Sequence, residues 1–336
     1  MKKYLFETII ITILTIINVK GFAYEQDVKV INEVAGISLA GTLALPDNNQ
    51  PKALLVFASG SGAQNRDEEI FGLKPFKVLS DTLVSEGYGT LRLDDRGVGG
   101  SEGKFDDVIL DDLTGDILAG VTYLRHLYPD TKIGVLGHSQ GGQVAVKLAS
   151  KDNLDFIVTL AAPAWKGDSL IMSQCRAMAI ATNGSWPNEN LERRLLDIAM
   201  SDIPTAIGKT LLYNEMISTI GEVAGITQVQ SQIFEQVVPL MSPMYRNLLR
   251  YNPENDIKAV NVPWIALNGD KDLQVLVQNL STIKDFNPQA TTIIIEDHNH
   301  LFQPAISGLP NEYPTGGQSP SKKTLEILLR ELNKIF

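Results

Sequence analysis

Short, largely apolar stretches recur along the chain: Ala53 to Ala58, Thr90 to Leu93, Thr131 to Leu136, Phe156 to Ala162, Pro263 to Gly269 and Thr291 to Ile295. All six read as strands, and the continuous run Ala53 to Ala58, with Thr131 to Leu136 and Phe156 to Ala162, reads as buried. Between them the apolar residues change to three- and four-residue steps. Pro75 to Glu86 shows this spacing and is closed by Gly87. Val108, Leu113, Ile117, Val121 and Leu124 carry it from Asp107 to Leu127, Gly142 to Ala149 repeats it, and Leu325, Leu328, Leu329, Leu332 and Ile335 form a last face after Ser321. These stretches predict amphipathic helices, and the acidic first half of the second favours its own dipole. Strands alternating with helices predict a mostly parallel sheet covered on both faces. Ahead of them, two extended pieces between Val28 and Pro46 predict an opening antiparallel pair.

The alternation stops at about residue 163 and resumes at Pro263. No convincing strand lies in this block, only helix-like pieces such as Leu191 to Met200 and Gln228 to Leu240, punctuated by Pro187, Pro204 and Pro239. The pattern predicts one α/β domain over residues 24–336 with a helical lid inserted at about 163–255. No internal repeat or low-complexity tract is seen.

The first 23 residues differ from the rest. Lys2 and Lys3 precede an apolar run from Tyr4 to Val19, and Gly21-Phe22-Ala23 supplies small residues before Tyr24. This is the pattern of a secretory signal peptide, so residues 1–23 are expected to be cleaved and the protein to be exported, periplasmic or secreted. An uncleaved anchor is the alternative, although the run is short for a membrane span. Removing three lysines and one glutamate leaves 26 basic and 38 acidic side chains, a formal charge of −12 instead of −10. An acidic exported protein is poorly suited to nucleic acid or to an anionic membrane surface, and neither is expected as a partner. The single cysteine, Cys175, has no intramolecular partner and reads as a small apolar residue on a helix.

Candidate chemistry centres on Gly137-His138-Ser139-Gln140-Gly141, which fits G-x-S-x-G between a strand and a helix. A serine at such a joint sits on a tight turn with its hydroxyl exposed. The next N–H, that of Gln140, faces an incoming oxyanion at the positive end of the helix. A serine hydroxyl needs a base to take its proton and an acid to orient that base. Four histidines are available. His138 adjoins the serine, so its side chain is expected to point away, and His126 ends a helix, where a surface or core role is expected. His298 and His300 follow the last strand on a loop that can reach the serine, and position favours His300, which lies further from the strand end. Gly269-Asp270-Lys271-Asp272 follows the preceding strand and offers two candidate acids. One of them is expected to cap a helix beginning near Leu273. Either choice gives the chain order Ser, Asp, His.

These residues carry a resemblance. The chain resembles bacterial serine esterases of the α/β-hydrolase superfamily through Ser59-Gly60-Ser61-Gly62-Ala63-Gln64-Asn65-Arg66-Asp67-Glu68 and through Asp95-Arg96-Gly97-Val98-Gly99 with Ser101. The serine pentapeptide, Gly269 to Val275 and Asn299-His300-Leu301-Phe302-Gln303 complete the match. The resemblance implies the α/β-hydrolase fold, hydrolysis of small-molecule carboxylic esters, Asp272 as the acid and His300 as the base. Backbone N–H groups of Ser61 and Gln140 would form the oxyanion hole. A peptidase, an acyl thioesterase or a binding protein on a silent scaffold are the alternatives. Arg66 and Asp67 read more simply as a loop-pinning ion pair than as contacts to a polar group of the substrate, and Arg96 reads as structural. Gly60-Ser61-Gly62 and Gly97-Val98-Gly99-Gly100 lack the third glycine and the ribose-binding acid of a dinucleotide fingerprint. His298 and His300 have no third ligand at metal spacing, so no cofactor or metal is expected.

Overall fold

The short apolar stretches become strands of one sheet, five of them buried and the last, Thr291–Ile295, a partly exposed edge. The computed structural model describes residues 24–151, 153–220, 235 and 237–336. The expected signal peptide and most of the helix expected from Gln228 to Leu240 lie outside the described residues. The strands are β1 Tyr24–Asn32, β2 Ile37–Leu45, β3 Leu54–Ala58, β4 Gly89–Leu93, β5 Ile133–His138, β6 Phe156–Leu160, β7 Trp264–Gly269 and β8 Thr291–Ile295. They form one 8-stranded sheet in the order β1-β2-β4-β3-β5-β6-β7-β8. β1 and β2 pair antiparallel, β2 joins β4 antiparallel, and every pairing from β4 to β8 is parallel.

Helices close both faces. Along β3, Leu54, Val56 and Ala58 join one apolar cluster while Leu55 and Phe57 join the other, the period of two that a strand imposes. The first cluster is covered by α2 Leu110–Leu127 and α3 Gln140–Ala149, and the second by α1 Pro75–Ser85. Each Leu or Phe buried this way contributes about 1.5–3 kcal/mol, and both faces of β3 are apolar.

The segment between β6 and β7 holds α4 Gly167–Asn183, α5 Glu189–Met200, α6 Thr205–Ile220, a 3-10 turn Val238–Met241, α7 Pro243–Arg250 and α8 Glu254–Ala259. It has its own apolar cluster, built on Met172, Leu191, Leu195, Leu196, Leu212, Met241 and Leu249. Arg246 and Arg250 donate to the last carbonyls of α5, at Ala199 (3.0 Å) and Met200 (2.7 Å), where a helix C-terminus favours cations. By α8 the chain has returned to the sheet, because Ile257 belongs to the first cluster. After β7 come α9 Gln278–Phe286, packed on the first cluster, and α10 Lys322–Leu332, packed on the second. The helix expected near Leu273 therefore starts later, because Asp272 holds residues 273–275 in a turn. Of α4 only the helical setting of Cys175 was expected, and α6 and α7 escaped the sequence pattern; α6 has no single apolar face to betray it.

The order β4-β3-β5 is what positions the site. From β3 the chain moves outward to β4, then returns to the other side of β3 as β5. The loops leaving the carboxyl ends of β3 and β5 diverge there, and such a switch point opens a crevice at the sheet edge.

Candidate active site

Ser139 lies between β5 and α3 with φ 52° and ψ −120°, a conformation that costs a non-glycine residue about 1–3 kcal/mol. Its N–H donates to the Leu160 carbonyl (2.8 Å) and its carbonyl accepts from Gly142 (2.9 Å), which hold the turn closed. The flanking glycines are required by space. A Cβ on Gly137 would lie 2.1 Å from the Gly141 oxygen, and one on Gly141 would lie 2.0 Å from the Ala58 oxygen. The loop after β3 lies over the serine, since a Cβ on Gly60 would be 3.4 Å from that of Ser139. Ser61 follows directly. Gln140 opens α3, so its N–H is one of the first-turn donors that the helix itself leaves unused.

Asp272 and His300 meet on the same edge. His300 Nδ1 lies 2.7 Å from Asp272 Oδ2, with the two side chains 5% and 0% exposed. The other carboxylate oxygen, Oδ1, accepts the N–H groups of Gln274 (2.8 Å) and Val275 (2.9 Å). Asp272 thus closes its own turn and orients His300 at once. The capping role expected of its neighbour is not seen in Asp270, which is exposed and accepts the Asp297 N–H (2.6 Å), tying the two loops together. Asn299 Oδ1 accepts from Leu301 and Gln303 (both 3.0 Å), fixing the turn that carries His300. With Nδ1–H donated to Asp272, Nε2 of His300 is the nitrogen free to take a proton.

The other histidines have different tasks. His298 is buried, with Nδ1 2.7 Å from the Glu296 carbonyl and Nε2 2.7 Å from the Ser321 hydroxyl that caps α10. Burial holds its pKa below the ordinary value. His126 is exposed at the end of α2. His138 departs from expectation. It is buried against the catalytic candidates, its ring centroid 4.8 Å from that of His300, and its partners are Glu68 and the His300 carbonyl. No sequence pattern announced this contact, because Glu68 lies far upstream on another loop.

Arg66, Asp67 and Arg96 are loop pins. Arg66 forks onto Asp94 (2.8 and 3.1 Å) and reaches Asp27 (2.8 Å), Asp67 pairs with the buried Arg92, and Arg96 holds Asp116 (2.7 and 2.9 Å). Burial alone would raise the pKa of Asp94, but the bonds from Arg66 hold it below the usual carboxylate value. Asp95 behaves oppositely. Burial pushes it up to about 7, although Gln64 N–H and the Ser59 hydroxyl (both 2.9 Å) donate to it. Ser59 thereby anchors the start of the loop after β3.

A cavity of about 510 Å³ opens between α4, α5 and the loop after β7, walled by the apolar Trp165, Met172, Ile180, Trp186 and Leu276 and by the charged Arg176, Glu189 and Arg193. Ile180 lines this cavity, whereas Met200, Ile203 and Met216 pack against the insertion's own cluster. Among the described residues, no three His, Cys, Asp or Glu side chains are grouped to hold a metal ion.

The chain is similar to proteins of known kind. Over 296 residues it is 22% identical to Esterase EstD of Thermotoga maritima, a match covering 86% of this chain and 64% of that longer relative. Esterase Pf2001 of Pyrococcus furiosus superposes with a TM-score of 0.59 at 17% identity, covering 93% of this chain and 91% of that one. The ferulic acid-bound Est1E of Butyrivibrio proteoclasticus does so with a TM-score of 0.54 at 19% identity, covering 91% and 99%. The fold is the α/β-hydrolase fold. Residues 50–219, half of the chain, match the family model described as Serine aminopeptidase, S33, and the chain belongs to that family of hydrolases.

Proposed function

We propose that this protein is a serine hydrolase that cleaves carboxylic esters of small molecules through an acyl-enzyme. The observation that carries the reading is the buried 2.7 Å bond between Asp272 and His300 on the sheet edge that also presents the strained Ser139. Ser139 Oγ attacks the ester carbonyl while His300 Nε2 takes its proton, and the N–H groups of Ser61 and Gln140 hold the tetrahedral oxyanion. Collapse expels the alcohol, which leaves with the proton from His300, and water repeats the sequence to release the acid. The helices between β6 and β7 act as a lid, and their cavity receives an apolar acyl or alcohol group. The similarity to proteins named esterases favours esters. The family description names an aminopeptidase, so amide cleavage by the same residues is the second reading.

Turnover of p-nitrophenyl esters beside aminoacyl p-nitroanilides separates the two. Esters are expected to be cleaved faster, and Ser139→Ala is expected to lower that rate by about 10³-fold or more with the fold intact. Ester turnover that survives in Ser139→Ala overturns the mechanism. Residues 1–23 act in this reading as a cleaved export signal, and N-terminal sequencing of periplasmic or secreted protein is expected to start at Tyr24.

A further inference from the structure

Glu68 and His138 are buried beside the site, and the reaction just described uses neither. Glu68 Oε1 accepts two hydrogen bonds, from the Gly60 N–H (2.6 Å) and from His138 Nδ1 (2.9 Å). The opposite nitrogen of the same ring, Nε2, lies 3.0 Å from the His300 carbonyl oxygen. One hydrogen-bonded chain therefore runs from the oxyanion loop, through the residue preceding the nucleophile, to the backbone of the base.

The loop is constructed to put Glu68 there. Glu68 sits at φ 52°, a strained value for a residue with a side chain. Its neighbours supply the restraint: Asn65 Oδ1 accepts from Asp67 (3.0 Å) and Glu69 (3.2 Å), Asn65 O accepts the Glu68 N–H (2.9 Å), and Arg66 is clamped on Asp94. Glu68 Oε2 is buried without a hydrogen-bond partner among the described residues, so His138 is the group that compensates the carboxylate charge.

We propose that Glu68 and His138 are a positioning pair, an ionised carboxylate and an imidazolium that together set the Gly60–Ser61 oxyanion loop and the His300 backbone relative to Ser139. A carboxylate and a carbonyl only accept, so the ring between them needs an N–H at both nitrogens. Carboxylate and imidazolium are together neutral, and the pair adds two donors beside His300 without adding net charge. The groups facing His138 are Glu68, the His300 ring and carbonyl, and the Asp272 charge. Burial works against the imidazolium, but Glu68, the His300 carbonyl and Asp272 outweigh it and raise the pKa of His138 above its ordinary value. A raised histidine pKa means that the chain of bonds is complete at low pH and is lost as pH rises through the folded value. The pair therefore contributes a high-pH limb to kcat.

The inference rests on the serine hydrolase reading for its kinetic effect, and a ring measurement independent of turnover separates the two. In Glu68→Gln one amide cannot serve Gly60 and an imidazolium equally. The kcat for p-nitrophenyl acetate is expected to fall about 10- to 100-fold with KM unchanged, less than or comparable to losing one oxyanion donor, and its high-pH limb is expected to move to lower pH. Glu68→Asp keeps the charge and is expected to retain the limb. In the wild-type enzyme, ¹⁵N-imidazole spectra of histidine-labelled protein are expected to show His138 protonated at both nitrogens at pH 7. Folded Glu68→Gln with unchanged kcat and unchanged limb overturns the proposal. So does a neutral His138 tautomer at pH 7 in the wild type, which decides the matter alone if Glu68→Gln does not fold.

Discussion

The sheet edge and the helical insertion are held together in different ways. At the edge the side chains around Ser139 are held by polar partners: Asp272 has two backbone N–H groups and a histidine, His138 a carboxylate and a carbonyl, Ser59 the carboxylate of Asp95. The insertion is held by apolar contacts among Met172, Leu196, Leu212, Met241 and Leu249, with a few arginine-to-carbonyl bonds at the end of α5. Directional bonds locate atoms to fractions of an ångström, as proton transfer requires. Apolar packing locates helices but tolerates exchange of volume for volume, which suits the substrate-receiving role proposed for the insertion.

The comparison is broken or sharpened first at the acid. Asp272→Asn is expected to lower kcat by about 10⁴-fold through the wrong histidine tautomer, whereas Asp270→Asn, which loses one exposed loop bond, changes ester turnover by less than about tenfold. Comparable losses in the two variants would remove the distinction between the orienting acid and the loop tie. Next is the insertion cluster. Leu212 is fully buried there, and Leu212→Ala is expected to cost about 2–5 kcal/mol by chemical denaturation. Its effect on ester turnover should appear in KM and in preference for acyl chain length, since no reacting group moves; a fall in kcat at constant KM would show that the insertion sets the geometry of the site as well. The smallest effect concerns Asp95. Its folded pKa is raised from 3.8 to about 7, so the stability tied to its protonated form is present below the unfolded value and is lost as pH rises through about 7. The melting temperature of the wild type is expected to slope downward over that window, and the slope to flatten in Asp95→Asn. Equal slopes would place the ionisation elsewhere.

The two regions also differed in how much of them could be read from residues alone. Buried parallel strands are mostly apolar on both faces, so β3 and β5 to β7 were visible as short apolar stretches, and Gly137 and Gly141 announced a turn that no Cβ could enter. The insertion helices α4 and α6 share their apolar surface among several neighbours and show no single stripe. The choice of Asp272 over Asp270 rested on resemblance, and that of His300 over His298 on its distance from the strand end as well as on resemblance, because neighbours two apart on a loop differ mainly in what they meet. Asp272 meets His300, while Asp270 meets a backbone N–H; His298 is spent on Glu296 and Ser321.

Local rules of pattern and backbone space therefore determined the strands, the elbow at Ser139 and the order Ser, Asp, His, because each depends on residues close in sequence. Only the tertiary structure decided which aspartate and histidine pair, that Asp95 holds Ser59, and that His138 faces Glu68 across 70 residues of chain. Those contacts arise where the reversal of strand order between β4, β3 and β5 brings separate loops to one edge. A hydrogen bond between loops leaves no periodicity in either of them.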